Sequence, residues 1–268
     1  MTYTGKCAIG IEPTDKSIRY YSSYIDKAEQ GTVHFVSECF TEAFYDELAD
    51  ILCGIKHAFE DASASNSVIV LPSDVFVTDL LMLPTMRAHS MRSATDAMTD
   101  SLFAGKSAVD MQCDRIKSTD QSTIFRLSAV RKSLISDIRQ SCARAGFAAN
   151  KCISAAEGLA NEVLSRVQPA KDELFAVLDT ADGFTRLVFV YNSVPVAATT
   201  LQAGTDTIKE LLCILQYSKR LKQLGECKTV LVSPPTDLPK QTANGIVFKP
   251  IELENALYPE LCGALRRI

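Results

Sequence analysis

The sequence predicts an α/β protein made of two halves of similar design that face each other across a cleft. Two stretches predict it. Glu173–Gly204, ELFAVLDTADGFTRLVFVYNSVPVAATTLQAG, reads as three consecutive strands. Leu174–Leu178 is an apolar run of strand length, so both its faces should be buried. Asp179-Thr180-Ala181-Asp182-Gly183 is turn chemistry, Arg186–Tyr191 is a second apolar run, and Asn192-Ser193 turns the chain into Val194–Leu201. The opening of the chain repeats the arrangement: Cys7–Ile11 is apolar, Glu12-Pro13-Thr14-Asp15-Lys16 is a turn, and Ser17–Tyr21 leads outward. A buried strand ending in an acid and turning through such residues suits an anion or a metal ion. Successive N–H groups can point at phosphate, and the carboxylate can hold a cation.

In order, residues 7–12, 17–25 and 32–39 read as three antiparallel strands, with Gly31 turning between the last two. A helix starts near Thr41, a plausible cap, because Phe44, Leu48, Ile51, Leu52, Ile55 and Phe59 share one helical face. Its first half carries Glu42, Asp46, Glu47 and Asp50, which complement the helix dipole. Ala62–Asn66 is a polar loop, and Ser67–Leu71 is a strand bounded by Pro72. Val75–Leu83 reads as a strand, Met86–Phe103 as a helix with Met91, Ala94, Met98 and Leu102 on one face, and Val109–Ile116 and Ser122–Val130 as paired strands. That methionine face suits core lining, or a repackable docking surface. Lys132–Ala145 is helical up to Gly146, and Ser154–Val167 is a helix crossing between the halves. After the three-strand unit, Thr205–Leu224 reads as one helix with Ile208, Leu211, Leu212 and Leu215 inward. Thr229–Val232 and Ile246–Lys249 are short strands, and Glu252–Arg266 is a closing helix.

The chain has 268 residues, 47% apolar and 22% charged, the balance of an ordinary globular protein able to bury roughly 70–75% of its extended surface. A net charge of −4 with dispersed Lys and Arg gives no support to a nucleic-acid partner. No apolar run follows Met1 and none reaches transmembrane length, so a cytosolic protein is expected, without direct membrane insertion. The nine cysteines form no C-x-x-C pair and read as reduced thiols, several of them in the core. Cys53 and His57 lie four apart, but two ligands fall short of a structural zinc site. G-x-S-x-G and P-loop motifs are absent, so no catalytic residues are assigned.

Five segments carry a resemblance: CAIGIEPTDKSIRYY, VIVLPSDVFVTDLLMLP, RLSAVRKSLISDIRQSCARAGFAANKCISAAEGLANEVL, FAVLDTADGFTRLVFVYNSVPVAATTLQAG and YPELCGALRRI. Their order and spacing resemble the actin-like ATPase superfamily, most of all PilM-type pilus assembly proteins, with FtsA and the cytoplasmic domain of type II secretion GspL as relatives. The resemblance implies an actin-like, ribonuclease-H-like two-lobed fold. Residues 1–167 would form the first lobe, with an inserted strand–helix–strand subdomain at about 74–131, and 168–268 a reduced second lobe. It also implies a cytoplasmic protein, held at the inner face of the membrane through a partner. That partner would be the cytoplasmic N-terminal segment of a PilN-like bitopic membrane protein, seated between the core lobe and the insert. Other platform components and a homo-oligomer are further implied partners.

Against the family pattern, several residues depart. If nucleotide bound, the resemblance places Glu12, Thr14, Lys16, Ser17, Asp179, Gly183, Thr185 and Gly204 around it, with Asp179 ordering Mg²⁺. Yet Pro13 offers no N–H, Asp15 adds negative charge, Thr180-Ala181 replaces the usual Ile-Gly, and Ser233-Pro234-Pro235 replaces a double-glycine purine turn. Glu12, Asp15, Asp179 and Asp182 are expected to converge, with Lys16 the only base within the turns. A subdomain that closes over nucleotide in relatives is missing between Gly204 and Thr229. The favoured expectation is a scaffold with a degenerate nucleotide site and no cofactor. The first alternative is a working Mg-ATP-binding ATPase. The second is an FtsA-like membrane-tethered filament protein, suggested by Leu253, Leu257, Leu261 and Leu265 four apart before Arg266-Arg267, although Pro259 interrupts that run.

Overall fold

The computed structural model describes residues 6–24, 27–56, 66–103, 108–181, 183–202, 204–234, 245–253 and 258–266. The predicted 62–65 loop, His57, Phe59, Asp182, Leu257 and Arg267 lie outside these residues.

Two five-stranded sheets form the two halves. In the first, β1 (Lys6–Glu12), β2 (Ser17–Tyr24), β3 (Lys27–His34), β4 (Ser67–Leu71) and β8 (Ala149–Ser154) lie in the order β3-β2-β1-β4-β8. The β1–β2–β3 meander is antiparallel, whereas β4 runs parallel to β1 and β8 parallel to β4. In the second, β9 (Leu174–Ala181), β10 (Phe184–Tyr191), β11 (Val194–Gln202), β12 (Cys227–Ser233) and β13 (Val247–Pro250) lie in the order β11-β10-β9-β12-β13. Again the first three form an antiparallel meander, and the later strands add in parallel. The repeat read from the two acidic turns is therefore a repeat of whole sheets.

A third sheet, β5-β7-β6, is built from β5 (Val77–Pro84), β6 (Val109–Ser118) and β7 (Ser122–Arg131). It carries helix α2 (Ala88–Phe103), whose Met91 and Ala94 pack on Leu81, Leu83, Phe125 and Leu127. Core lining is thus the role of Met91.

Alternation along the strands decides what covers each sheet. Cys7, Ile9 and Ile11 point to the outer face of the first sheet. There they meet Phe44, Leu48 and Leu52 of α1 (Glu42–Lys56) and Leu134, Ile135 and Ile138 of α3 (Lys132–Arg144). The opposite face bears Ala8, Val68 and Val70, covered by Leu261, Ala264 and Leu265 of the C-terminal helix α7 (Pro259–Leu265). On the second sheet, Phe175, Val177, Val188 and Val190 meet Ala156, Leu159, Ala160 and Val163 of α4 (Ala155–Arg166). Each half therefore supplies the helix that covers the other half's inner face. These helices cross at bare backbone: a Cβ on Gly158 would collide with the Glu260 carbonyl, and one on Gly263 with the Gly158 carbonyl.

Several boundaries differ from the expectation, each for a local reason. Gly31 is not a turn residue. It lies within β3 opposite Tyr20, whose ring occupies the space a side chain would need. Strand β8 escaped notice because ANKCIS is a half-polar edge strand with a weak alternation. The 205–224 helix divides into α5 (Thr207–Tyr217) and α6 (Lys219–Leu224), because Ser218 leaves helical geometry and caps the second piece through Leu221 N. Of the predicted inward residues of α5, Leu211 is buried, while Ile208, Leu212 and Leu215 are half-buried. Pro259 starts the terminal helix rather than interrupting it, and Leu253 lies outside any helix. Thr41 caps α1 as expected, its Oγ1 accepting from Phe44 N at 3.4 Å.

Candidate functional site

The β1–β2 and β9–β10 turns lie at the same end of the two inner faces, with α7 between them. In the β9–β10 pairing Asp179 stands directly opposite Arg186. Gly183 supplies the positive φ (87°) this turn requires. Both side chains share the inner face with Phe175 and Val177, and both are buried.

Arg186 reaches across the molecule. Its Nη2 donates to Glu12 Oε2 of β1 at 3.0 Å and to Glu260 Oε1 of α7 at 3.2 Å. Its Nη1 donates to Glu260 Oε2 at 3.0 Å and to Asp179 Oδ2 at 3.4 Å. The guanidinium lies over the Phe184 ring, 4.7 Å from its centroid. Burial pushes the Asp179 carboxyl up to about 7, opposed by the Arg186 charge and reinforced by the Glu260 charge. The three surrounding carboxylates hold the Arg186 pKa above its ordinary value, against the effect of burial.

A second arginine lies beside the first. Arg19 of β2 is 5% exposed and binds Asp15 Oδ2 at 2.6 Å and Ser17 Oγ at 3.2 Å. It too lies over the Phe184 ring, 5.1 Å from the centroid. The expected convergence of acids is therefore partly right and its counter-charge wrong. Glu12 and Asp179 do meet, joined by Glu260, whereas Asp15 turns to Arg19. Lys16 is not the balancing base: its Nζ donates outward to the Val36 carbonyl at 3.1 Å. Arg19 and Arg186 sit on strands rather than in turns, which is why a reading of the turns overlooked them. Counting back from a two-residue turn at Asp182-Gly183 would have placed Arg186 beside Asp179.

The other predicted positions surround this cluster without forming a cradle. Thr14 N donates to Glu12 Oε1 at 3.2 Å, so the N–H that would face phosphate is used internally. Ser17 Oγ donates to Asp15, and the Thr185 hydroxyl lies 3.4 Å from that of Thr180. Gly183 and Gly204 both adopt positive φ with open space around them. Among the described residues, no group of three or more His, Cys, Asp or Glu side chains is arranged to hold a metal ion. Two of the groups predicted for a magnesium–nucleotide, Asp179 and Thr14 N, are engaged within the protein.

A second concave feature lies between the first sheet and the insert. Phe76, Val130 and Ile135 give it an apolar floor, and Asp110, Gln112, Ser128, Arg139, Cys152 and Glu157 give it polar walls. Two sheet edges border it, β6 of the third sheet and β8 of the first. Glu157 is held by the capping box of α4 with Ser154 and accepts from Arg126 Nη2 at 3.0 Å. Arg126 also binds Asp114 at 2.7 Å and the Pro195 carbonyl of β11 at 3.2 Å, which ties the insert to both halves.

Comparison with solved structures gives the fold its place. The chain superposes on a chain of the PilM-PilN type IV pilus biogenesis complex with a TM-score of 0.67, covering 97% of this chain and 96% of that one at 13% identity. The chain has the actin-like fold. It also superposes on the cytoplasmic domain of EpsL, an inner membrane component of the type II secretion system of Vibrio cholerae, with a TM-score of 0.61, covering 98% and 95% at 11% identity. No protein-family profile and no curated protein matches the sequence. Among the described residues, no helix is long and apolar enough to cross a membrane.

Proposed function

We propose that the protein is a cytoplasmic component of a type IV pilus or type II secretion platform that binds an extended segment of a PilN-like membrane protein and works without nucleotide. The observation that carries this reading is the end-to-end likeness to a chain of the PilM-PilN complex, covering nearly all of both chains. The groove between insert and first lobe supplies a matching seat. Its apolar floor of Phe76, Val130 and Ile135 takes side chains, and the β6 edge offers main-chain groups to an added strand. Nucleotide independence is supported by the engagement of Asp179 with Arg186 and of Thr14 N with Glu12. The tethered-filament reading loses its membrane helix, because Leu261, Ala264 and Leu265 are packed on the first sheet.

The test is co-purification of the intact chain with the cytoplasmic segments of membrane proteins encoded beside it, with Ser128→Arg as the control that fills the groove. A segment retained by wild type and lost by the variant supports the proposal. Retention by both, or by neither, removes it.

A further inference from the structure

We propose that the inter-lobe cluster is a cation site whose cation is covalently attached: Arg186 is an internal counter-ion that clamps the two lobes in one arrangement and occupies the position an external cation would take. Three carboxylates from three separate elements, Glu12 of β1, Asp179 of β9 and Glu260 of α7, converge on this one guanidinium within 3.4 Å. Their side chains are at most 8% exposed, so water cannot disperse their charges. The neighbouring Arg19 binds Asp15 and Ser17, while its buried Nη1, with no hydrogen-bond partner, lies 4.0 Å from Glu260 Oε1, so Arg19 makes no hydrogen bond to the three carboxylates. Without the guanidinium, three carboxylates would face one another in a dry junction between the sheets. Such a junction either binds a cation from solution or opens.

A guanidinium also explains the geometry. A planar fork can satisfy acceptors on two sides at once while its face rests on Phe184. Glu260 accepts from both terminal nitrogens, which fixes α7 against β10, and Glu12 fixes β1 to the same group. In ligand-binding two-lobed proteins, closure is driven by the ligand. Here closure is driven by a residue of the second lobe itself, so the arrangement of the lobes is independent of any solute. This inference is separate from the partner proposal: none of Glu12, Asp179, Arg186 and Glu260 lines the groove, and its failure leaves the groove untouched.

Thermal unfolding of the intact chain tests it, using Arg186→Ala with guanidinium chloride and magnesium chloride at tens of millimolar, and sodium chloride at matched ionic strength as the control. The variant is expected to unfold at much lower temperature, and guanidinium or magnesium is expected to recover part of the loss where sodium does not. Wild type should show no gain from either cation. If Arg186→Ala fails to fold, the double variant Arg186→Met/Glu260→Gln is expected to fold, because it removes a carboxylate together with the cation. Equal stability of Arg186→Ala and wild type would overturn the proposal. So would a variant blind to all three salts, a double variant no better than Arg186→Met, or magnesium stabilising the wild type.

Discussion

The inter-lobe junction and the groove beside the insert are both concave and both charged, yet only one of them is filled by the protein itself. In the junction, every described carboxylate has a guanidinium within 4.0 Å, and both guanidiniums lie over the ring of Phe184. In the groove, Arg139, Asp110 and Gln112 stand beside Phe76, Val130 and Ile135, with an open recess between them. The fold thus offers two charged sites, one closed by Arg19 and Arg186 and the other, lined in part by Arg139, left open. Internal charge satisfaction fixes shape; unfilled apolar floor invites a partner.

The comparison breaks first at the helix crossing. Gly263→Val forces α4 and α7 apart at backbone contact, and it is expected to cost more than ~4 kcal/mol or to prevent folding, measured by urea unfolding. Arg186→Ala follows, at roughly 3–5 kcal/mol, because it leaves buried carboxylates without their counter-ion. No substitution confined to the groove should approach these values. Ser128→Arg, at a half-buried position, is expected to change stability by about 1 kcal/mol or less while abolishing partner binding.

Proton linkage sharpens the contrast. The Asp179 carboxyl is raised from 3.8 to about 7 by burial, so the folded state holds its proton more tightly than the unfolded chain. The stability it contributes is complete below about 4 and is lost as the pH rises to about 7, the reverse of an ordinary carboxylate. Relative to Asp179→Asn, wild type should lose unfolding temperature across that window and run parallel above it. A difference curve that is flat from about 4 to 7 would show that Arg186 holds Asp179 fully ionised. The smallest effect is expected on the surface. Arg220, 58% exposed at its side chain, pairs with Asp79 between α6 and the insert, and Arg220→Ala should cost about 0–1 kcal/mol, less still in high salt.

Much of the architecture was legible because it is written in local pattern. Leu174–Leu178 and Cys7–Ile11 announced buried strands, the turns between them announced hairpins, and Phe44, Leu48 and Leu52 announced the face of α1. The repeated strand–turn–strand unit was enough to infer two halves. What escaped was non-local. Arg186 and Arg19 look like ordinary polar residues at the starts of strands, and only the pairing register and the return of α7 place them among acids. Glu260 comes from the far end of the chain, so nothing near the turns announced it. Gly31 was misread because glycine marks a turn or a close contact equally well, and here the Tyr20 ring claims the space. Strand β8 was missed because its edge position asks little of Asn150 and Lys151. The resemblance placed a partner between the core lobe and the insert, but not the residues that line the groove, since Phe76 and the consecutive elements β6, β7, α3, β8 and α4 meet there only through tertiary packing.

The most direct test of the account is calorimetric titration of the partner's cytoplasmic segment into the intact chain, with and without Mg-ATP, followed by Mg-ATP alone. The account predicts saturable binding of the segment that is indifferent to nucleotide, and no heat from Mg-ATP. Tight Mg-ATP binding that is lost in Asp179→Ala, or segment binding that requires nucleotide, would contradict it.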